Sequence, residues 1–168
     1  MNVENLAFPY KDLVVKFSEE VIEELNENLI SIVLFGSVAR GQYRKDSDID
    51  LLVICEDLPR DMFKRREFLR ETNRKMDIYL ESIYEKGYYP FFSIILKSRE
   101  EAQRLSPLYL DMTEDSIIIY DKENFFSKVL MRMKKILDRL GSKRVFIGKK
   151  WYWDLKPDYK FGEEIQIE

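Results

Sequence analysis

Two aspartates separated by one apolar residue, Asp48-Ile49-Asp50, open the run Leu51-Leu52-Val53-Ile54, whose branched apolar character is that of a buried strand. Side chains two apart on a strand leave the same face, with Cα atoms about 6.5–7 Å apart. Carboxylates so placed can share a hard cation such as Mg²⁺, which takes one or two carboxylates and completes its shell with substrate phosphates. Upstream, the apolar run from Ser31 to Phe35 ends at Gly36-Ser37 and continues as Val38-Ala39-Arg40-Gly41. Glycine lacks the Cβ that would keep a phosphate from the backbone, and turn N–H groups with a Ser hydroxyl supply donors. Arg40 can add charge-assisted contacts to the same oxygens. Each feature alone is also what an ordinary turn or strand rim carries. Together they suit a metal-chelated phosphate ligand.

The composition removes most competing chemistries. The 168 residues contain 28 Lys and Arg, 31 Asp and Glu, no His and one Cys, for a net charge of −3. Without imidazole there is no Ser-His or Cys-His nucleophile pair and no His-ligated zinc, and a single thiol forms no internal disulfide. A sequence pI near 5.3 argues against a purely electrostatic nucleic-acid binder, so nucleic acid is a possible partner but not an indicated one. The opening MNVENLAFPYKD has no charged-then-apolar leader pattern, and no run approaches the roughly 18 apolar residues of a membrane span. A soluble cytoplasmic protein without membrane association is expected.

The elements that must hold these residues follow from periodicity. Leu13, Phe17, Val21 and Leu25 recur every fourth residue, which predicts a helix over residues 9–28. Strands are expected at 31–36 and 49–54, joined by the polar, basic segment 37–47. Met62, Phe63, Leu69, Met76, Leu80 and Ile83 fall near heptad spacing, which predicts one helix over 60–86 ended by Gly87. Further strands are expected at 91–97 and 117–120, an amphipathic helix at 125–140 closed by Gly141, and two short strands around Gly148. Strands and helices mix without strict alternation, so the expected class is α+β with a small central mixed sheet flanked by helices. Residues 1–105 would form the main domain with its N-terminal helix. Residues 106–168 would form a C-terminal α/β extension packed on it.

The segment FGSVARGQYRKDSDIDLLVI, with Gly36-Ser37 followed after ten intervening residues by Asp48-Ile49-Asp50-Leu51, resembles the signature of the DNA polymerase β-like nucleotidyltransferases. The likeness is greatest to the minimal and kanamycin nucleotidyltransferase-like members, and it covers residues 32–54. It implies transfer of a nucleoside monophosphate from an NTP, with ATP the leading choice, to an acceptor hydroxyl that the sequence does not name. Gly36 and Ser37 would hold the β- and γ-phosphates, with Arg40 and Ser47 as helpers. Asp48 and Asp50 would be the catalytic Mg²⁺ ligands. It also implies two alternatives: an antitoxin-type protein paired with a helical toxin-like partner, or a nucleotide-binding module with reduced catalysis.

Members of that superfamily usually add a third carboxylate from a later strand. Here the later strand is Phe91-Phe92-Ser93-Ile94-Ile95-Leu96, which offers Ser93 at its polar position, while Asp77 lies within the heptad run and reads as helical. The third ligand is therefore either Asp77 or none, with Ser93 in its place. Cys55 reads as a packed core thiol, and Asp111, Glu114 and Asp115 as helix-end or turn carboxylates. The aromatic and basic tail GKKWYWDLKPDYKFG either offers a stacking platform for an acceptor or uses its Trp residues to cover a sheet edge.

Overall fold

The computed structural model describes residues 3–164. Its elements in chain order are α1 (Tyr10–Leu25), β1 (Leu29–Phe35), the one-turn α2 (Gly36–Ala39), β2 (Ile49–Cys55), α3 (Met62–Arg66), α4 (Arg70–Tyr84) and β3 (Phe92–Ser98). They continue with α5 (Arg99–Gln103), α6 (Leu108–Asp115), β4 (Ile117–Asp121), α7 (Phe125–Leu140), β5 (Lys143–Ile147) and β6 (Lys150–Asp154). Four strands form a mixed sheet in the order β3-β2-β1-β4, with β1 antiparallel to β2 and β4 and β2 parallel to β3. A parallel neighbour demands a crossover, which α3 and α4 provide. The class is the expected α+β arrangement with a small mixed sheet between helices.

Alternation along β1 and β2 sends apolar side chains to two cores. Ile32, Leu34, Ile49, Leu51 and Val53 meet Leu13, Phe17 and Val21 of α1 and Met76, Leu80 and Ile83 of α4. On the other face Ile30, Val33, Leu52 and Ile54 meet Tyr109 and Met112 of α6 and Phe126, Val129, Met133 and Leu137 of α7. Residues 108–137 are thus knitted into the molecule twice, by α6 and α7 over one face and by β4 beside β1. A shift in strand register near Ser31 turns that buried hydroxyl towards Asp121, to which it donates at 2.7 Å.

The single helix expected over 60–86 is two helices. Asp61 accepts from the N–H groups of Phe63 and Lys64 and so starts α3, while Phe63 points outward at 77% exposure. Glu24 of α1 accepts from the Glu71 and Thr72 N–H groups and from the Thr72 hydroxyl, so a carboxylate from another helix caps α4. Heptad spacing is compatible with either arrangement, and the cap that Glu24 places from outside on α4 decides between them. By contrast α7 spans residues 125–140 as expected and ends at Gly141, whose φ of +66° is the left-handed stop. The hairpin β5–β6 around Gly148 is present, but as a separate two-stranded sheet: Trp153 and Leu155 pack into the α6/α7 core, away from the edge of the main sheet.

Asp121 accepts four hydrogen bonds, from the hydroxyls of Ser31 and Ser127 and the N–H groups of Phe126 and Ser127 at 2.7–3.0 Å. It caps α7 and satisfies a buried hydroxyl of the central strand at once. Replacing Asp121 by Ala removes the cap and strands the Ser31 hydroxyl, and should cost about 2–4 kcal/mol. The midpoint of urea unfolding, read with an unchanged slope, measures this.

Candidate functional site

The three strand ends at one edge of the sheet converge on Asp50. Phe35, the last residue of β1, pairs with Asp50 near the start of β2, and Asp50 pairs with Ser93 near the start of β3. Asp50 shares the face of Leu52 and Ile54, so its carboxylate emerges on the side covered by α6, α7 and the hairpin. Asp48 precedes β2 by one residue and is half-buried.

Gly36 follows directly, with φ +74°, a conformation that costs an L side chain about 1–2 kcal/mol. A Cβ built there would lie 2.1 Å from Oδ2 of Asp50. The glycine is thus required first by the carboxylate, which occupies the space a side chain would take. The reason expected from the sequence was room for a phosphate; the neighbour found in that space is Asp50.

Burial pushes the pKa of Asp50 above the ordinary carboxylate value; hydrogen bonding by the Ser93 hydroxyl opposes this, the negative charge of Asp48 adds to it, and the Arg40 charge opposes it. A cation delivered to this pair relieves both the repulsion and the poor solvation. The donor set of two carboxylates beside a Ser hydroxyl suits Mg²⁺ that keeps water and phosphate ligands. Among the described residues no three His, Cys, Asp or Glu side chains gather into a ready-made cage. Asp77 is exposed on α4, in the layer that covers the opposite face of the sheet, so it is not brought to the pair. Ser93 is.

Ser37 sits in α2, and its carbonyl accepts from the Gln42 N–H at 2.9 Å, which folds the connection back. Ser47 accepts the Arg44 N–H on its hydroxyl at 2.9 Å and gives its own N–H to the hydroxyl of Tyr10 at 3.2 Å. Its present work is to close the 44–47 turn onto α1. Tyr10 also donates to the Arg44 carbonyl, and burial raises the pKa of its hydroxyl, which keeps it a neutral strut. The thiol of Cys55 is buried and its pKa is pushed up to about 12, which fits the inert core role expected of it.

Arg40 reaches the space between α2 and the C-terminal hairpin. Its guanidinium carbon lies 4.8 Å from the centre of the Trp151 ring, and its buried Nε has no hydrogen-bond partner. One cleft of about 230 Å³ lies between Gly36, Arg40, Asp111 and Asp115. A second, of about 310 Å³, lies between Arg40, Gln42, Asp115, Arg144 and Trp151. Arg144, Trp151 and Asp111 were no part of the expected site. Asp111 accepts from the indole N–H groups of Trp151 and Trp153 at 2.9 and 2.8 Å, so it is a lock for the hairpin and more than a helix-end carboxylate.

The family described as nucleotidyltransferase domain matches residues 14–167 of the chain. A candidate protein adenylyltransferase of Methanocaldococcus jannaschii, MJ1305, is 34% identical over 145 residues, covering 86% of this chain and 92% of that protein. A second protein of the same organism and the same description, MJ0141, is 28% identical over 78 residues, 45% of this chain and 78% of its own length. Among solved structures, a chain of a toxin–antitoxin crystal structure with AMP-PNP is 18% identical over 77% of this chain and 91% of that one, with a TM-score of 0.44. Likeness of that order carries no inference about activity or partner.

Two outcomes are expected of this geometry. Gly36→Ala should cost more than the roughly 1–2 kcal/mol of its backbone conformation, and in an Asp50→Ala background about 1 kcal/mol of that loss should return, because the clash is with the carboxylate. A double-mutant cycle in urea measures it, and strict additivity would deny the contact. Because the folded pKa of Asp50 is raised, metal-free native protein binds protons more readily than the unfolded chain, and stability falls as pH rises from the unfolded to the folded value. Asp50→Asn should therefore melt no lower than wild type near pH 7 in chelator, and its advantage should fade as pH drops through the carboxylate range.

Proposed function

The chain belongs to the nucleotidyltransferase family, and on that premise we propose that it is a Mg²⁺-dependent adenylyltransferase that moves AMP from ATP to a hydroxyl group of a protein. The observation that carries the reading is the close approach of Asp50 to the side-chain-free backbone of Gly36, with the charges of Asp48 and Arg40 both felt at Asp50. ATP and a protein acceptor are the choices favoured by the description of the relative MJ1305.

In this reading the acceptor oxygen attacks the α-phosphorus, a new O–P bond forms, the bond from the α-phosphorus to the α–β bridging oxygen breaks, and pyrophosphate leaves. The hydroxyl proton is released to water. Asp48 and Asp50 would hold Mg²⁺, which when bound supplies charge neutralisation at the phosphates and lowers the pKa of a coordinated hydroxyl. Gly36 and the Ser37 hydroxyl lie beside the phosphate tail, and Arg40 balances the charge that gathers on the leaving group. Ser47 helps indirectly by fixing the turn that precedes Asp48. The resemblance to nucleotidyltransferases with toxin partners puts a helical toxin-like protein among the acceptors worth assaying.

A reading with reduced catalysis is favoured by one observation, the pairing of Ser93 with Asp50 where a carboxylate would neutralise a second metal ion. Ser93→Asp should then raise transfer to protein while leaving MgATP affinity within about threefold, a change below 1 kcal/mol.

The primary test uses ATP labelled at the α- or the γ-phosphate with candidate protein acceptors. Label should enter protein from α-labelled ATP alone, require Mg²⁺, and fall by about a hundredfold or more in Asp48→Asn and in Asp50→Asn, each folded by circular dichroism. Transfer that is undiminished in the two variants, or labelling from the γ-position, would sink the assignment.

A further inference from the structure

The C-terminal hairpin contributes an indole to the edge of the site, and that indole carries two guanidinium groups. Arg40 lies 4.8 Å and Arg144 4.1 Å from the centre of the Trp151 ring. The two cations differ in how they are compensated. Arg144 pairs with Asp115, and Asp111 lies 3.9 Å from its Nε. Each has a buried Nε without a hydrogen-bond partner, but Arg40, unlike Arg144, makes no ion pair within 4 Å among the described residues. It is close enough to Asp50 for its charge to be felt there, yet the two do not form a contact ion pair. A buried N–H on a fixed cation with no acceptor costs about 1–3 kcal/mol, and such a cost is sustained when an absent anion is its partner.

The indole is itself held. Trp151 donates to Oδ1 of Asp111 at 2.9 Å, and Trp153 donates to the same oxygen at 2.8 Å, so one carboxylate on α6 fixes two indoles on the same face of strand β6. Arginine bears considerable rotamer entropy, and an anion that must first order it binds less tightly. A rigid aromatic face removes that cost before the ligand arrives. The two clefts meet at Arg40, one running to Gly36 and the other to Trp151.

We propose that Trp151 is a positioning residue for the polyphosphate of the nucleotide: locked by Asp111, it holds Arg40 over the Gly36 cleft so that the β- and γ-phosphates find a fixed guanidinium. This rests on the reading of the site as a nucleotide site and adds that the hairpin β5–β6 is a working wall of it. The chain has only two Trp residues, 151 and 153, so Trp153→Phe leaves Trp151 as the sole indole and a direct reporter.

The experiment combines calorimetry of MgATP and magnesium pyrophosphate binding with Trp fluorescence of the full chain. In Trp151→Leu both ligands should bind about tenfold more weakly, in line with the loss of one cation–π contact, while Trp151→Phe, which keeps an aromatic face, should stay within about threefold of wild type. In Trp153→Phe, MgATP should change the emission of Trp151, and Arg40→Gln in that background should abolish the change. A folded Trp151→Leu that binds both ligands like wild type overturns the proposal and leaves the nucleotide reading standing. Should Trp151→Leu fail to fold, silence of the Trp151 emission under saturating MgATP in Trp153→Phe overturns it equally. If wild type binds neither MgATP nor magnesium pyrophosphate, the nucleotide reading itself fails, and this inference with it.

Discussion

The carboxylate of Asp50 occupies the volume that any side chain at position 36 would need. That exclusion couples the two halves of the candidate site more tightly than any hydrogen bond between them. The strand β1 must end in a left-handed glycine, and the chain must turn at that residue into α2. With the turn fixed, Arg40 is set at the mouth of the cleft and the basic connection folds away over Tyr10. A site built this way has little tolerance: moving Asp50 outward opens the glycine position but separates the carboxylate from Ser93, its partner across β2 and β3. The geometry of the acid is thus settled by main chain, which carries no rotamer freedom to lose.

The two helical layers do different work around this edge. On one face α1 and α4 supply inert packing, tied together by Glu24 at the start of α4 and by the pairing of Lys75 with Glu20 and Glu23. On the other, α6 combines core residues Tyr109 and Met112 with the acids Asp111 and Asp115, which reach the hairpin. The acids of α6 face cations and indole N–H groups, so they do not add to the negative field at Asp48 and Asp50. Among the described residues that line the cleft beside Gly36, Arg40 is the cation without a carboxylate partner.

Much of this was readable in the residues. Local signals were the clearest: the Leu13, Phe17, Val21 and Leu25 stripe marked α1, the Phe125 to Leu140 stripe with Gly141 marked α7, and the spacing of Gly36-Ser37 and Asp48-x-Asp50 marked the residues that the strand ends bring together. The break between α3 and α4 was not readable, because the deciding cap is Glu24, 47 residues before Glu71. The short α5 and α6 carry few turns of periodicity, and α6 shows its purpose only through Trp151, 40 residues later. Trp151 looked like part of an alternating aromatic and basic tail and Arg144 like one more residue of a short strand, and only tertiary contact brings the two together beside the site. The choice between Asp77 and Ser93 was open in the sequence, since an apolar-Asp-apolar triplet fits a helix as well as a strand, and register settles it in favour of Ser93 as the neighbour of Asp50.

The place of β4 has a consequence for the chain as it is made. The second neighbour of the central strand β1, Ile117–Asp121, is synthesised more than 80 residues after it, and of the two helices that cover Ile30, Val33, Leu52 and Ile54, α6 comes just before that strand and α7 just after. Until then a growing chain can assemble β1, β2 and β3 with α1 and α4, a half-molecule with one finished face, one naked apolar face and one open strand edge. Such a species carries both the signature pair of aspartates and a surface prone to join a second copy. The last third of the polypeptide therefore acts as its own escort, and vectorial synthesis makes the interval before α7 the period of greatest exposure to mispairing.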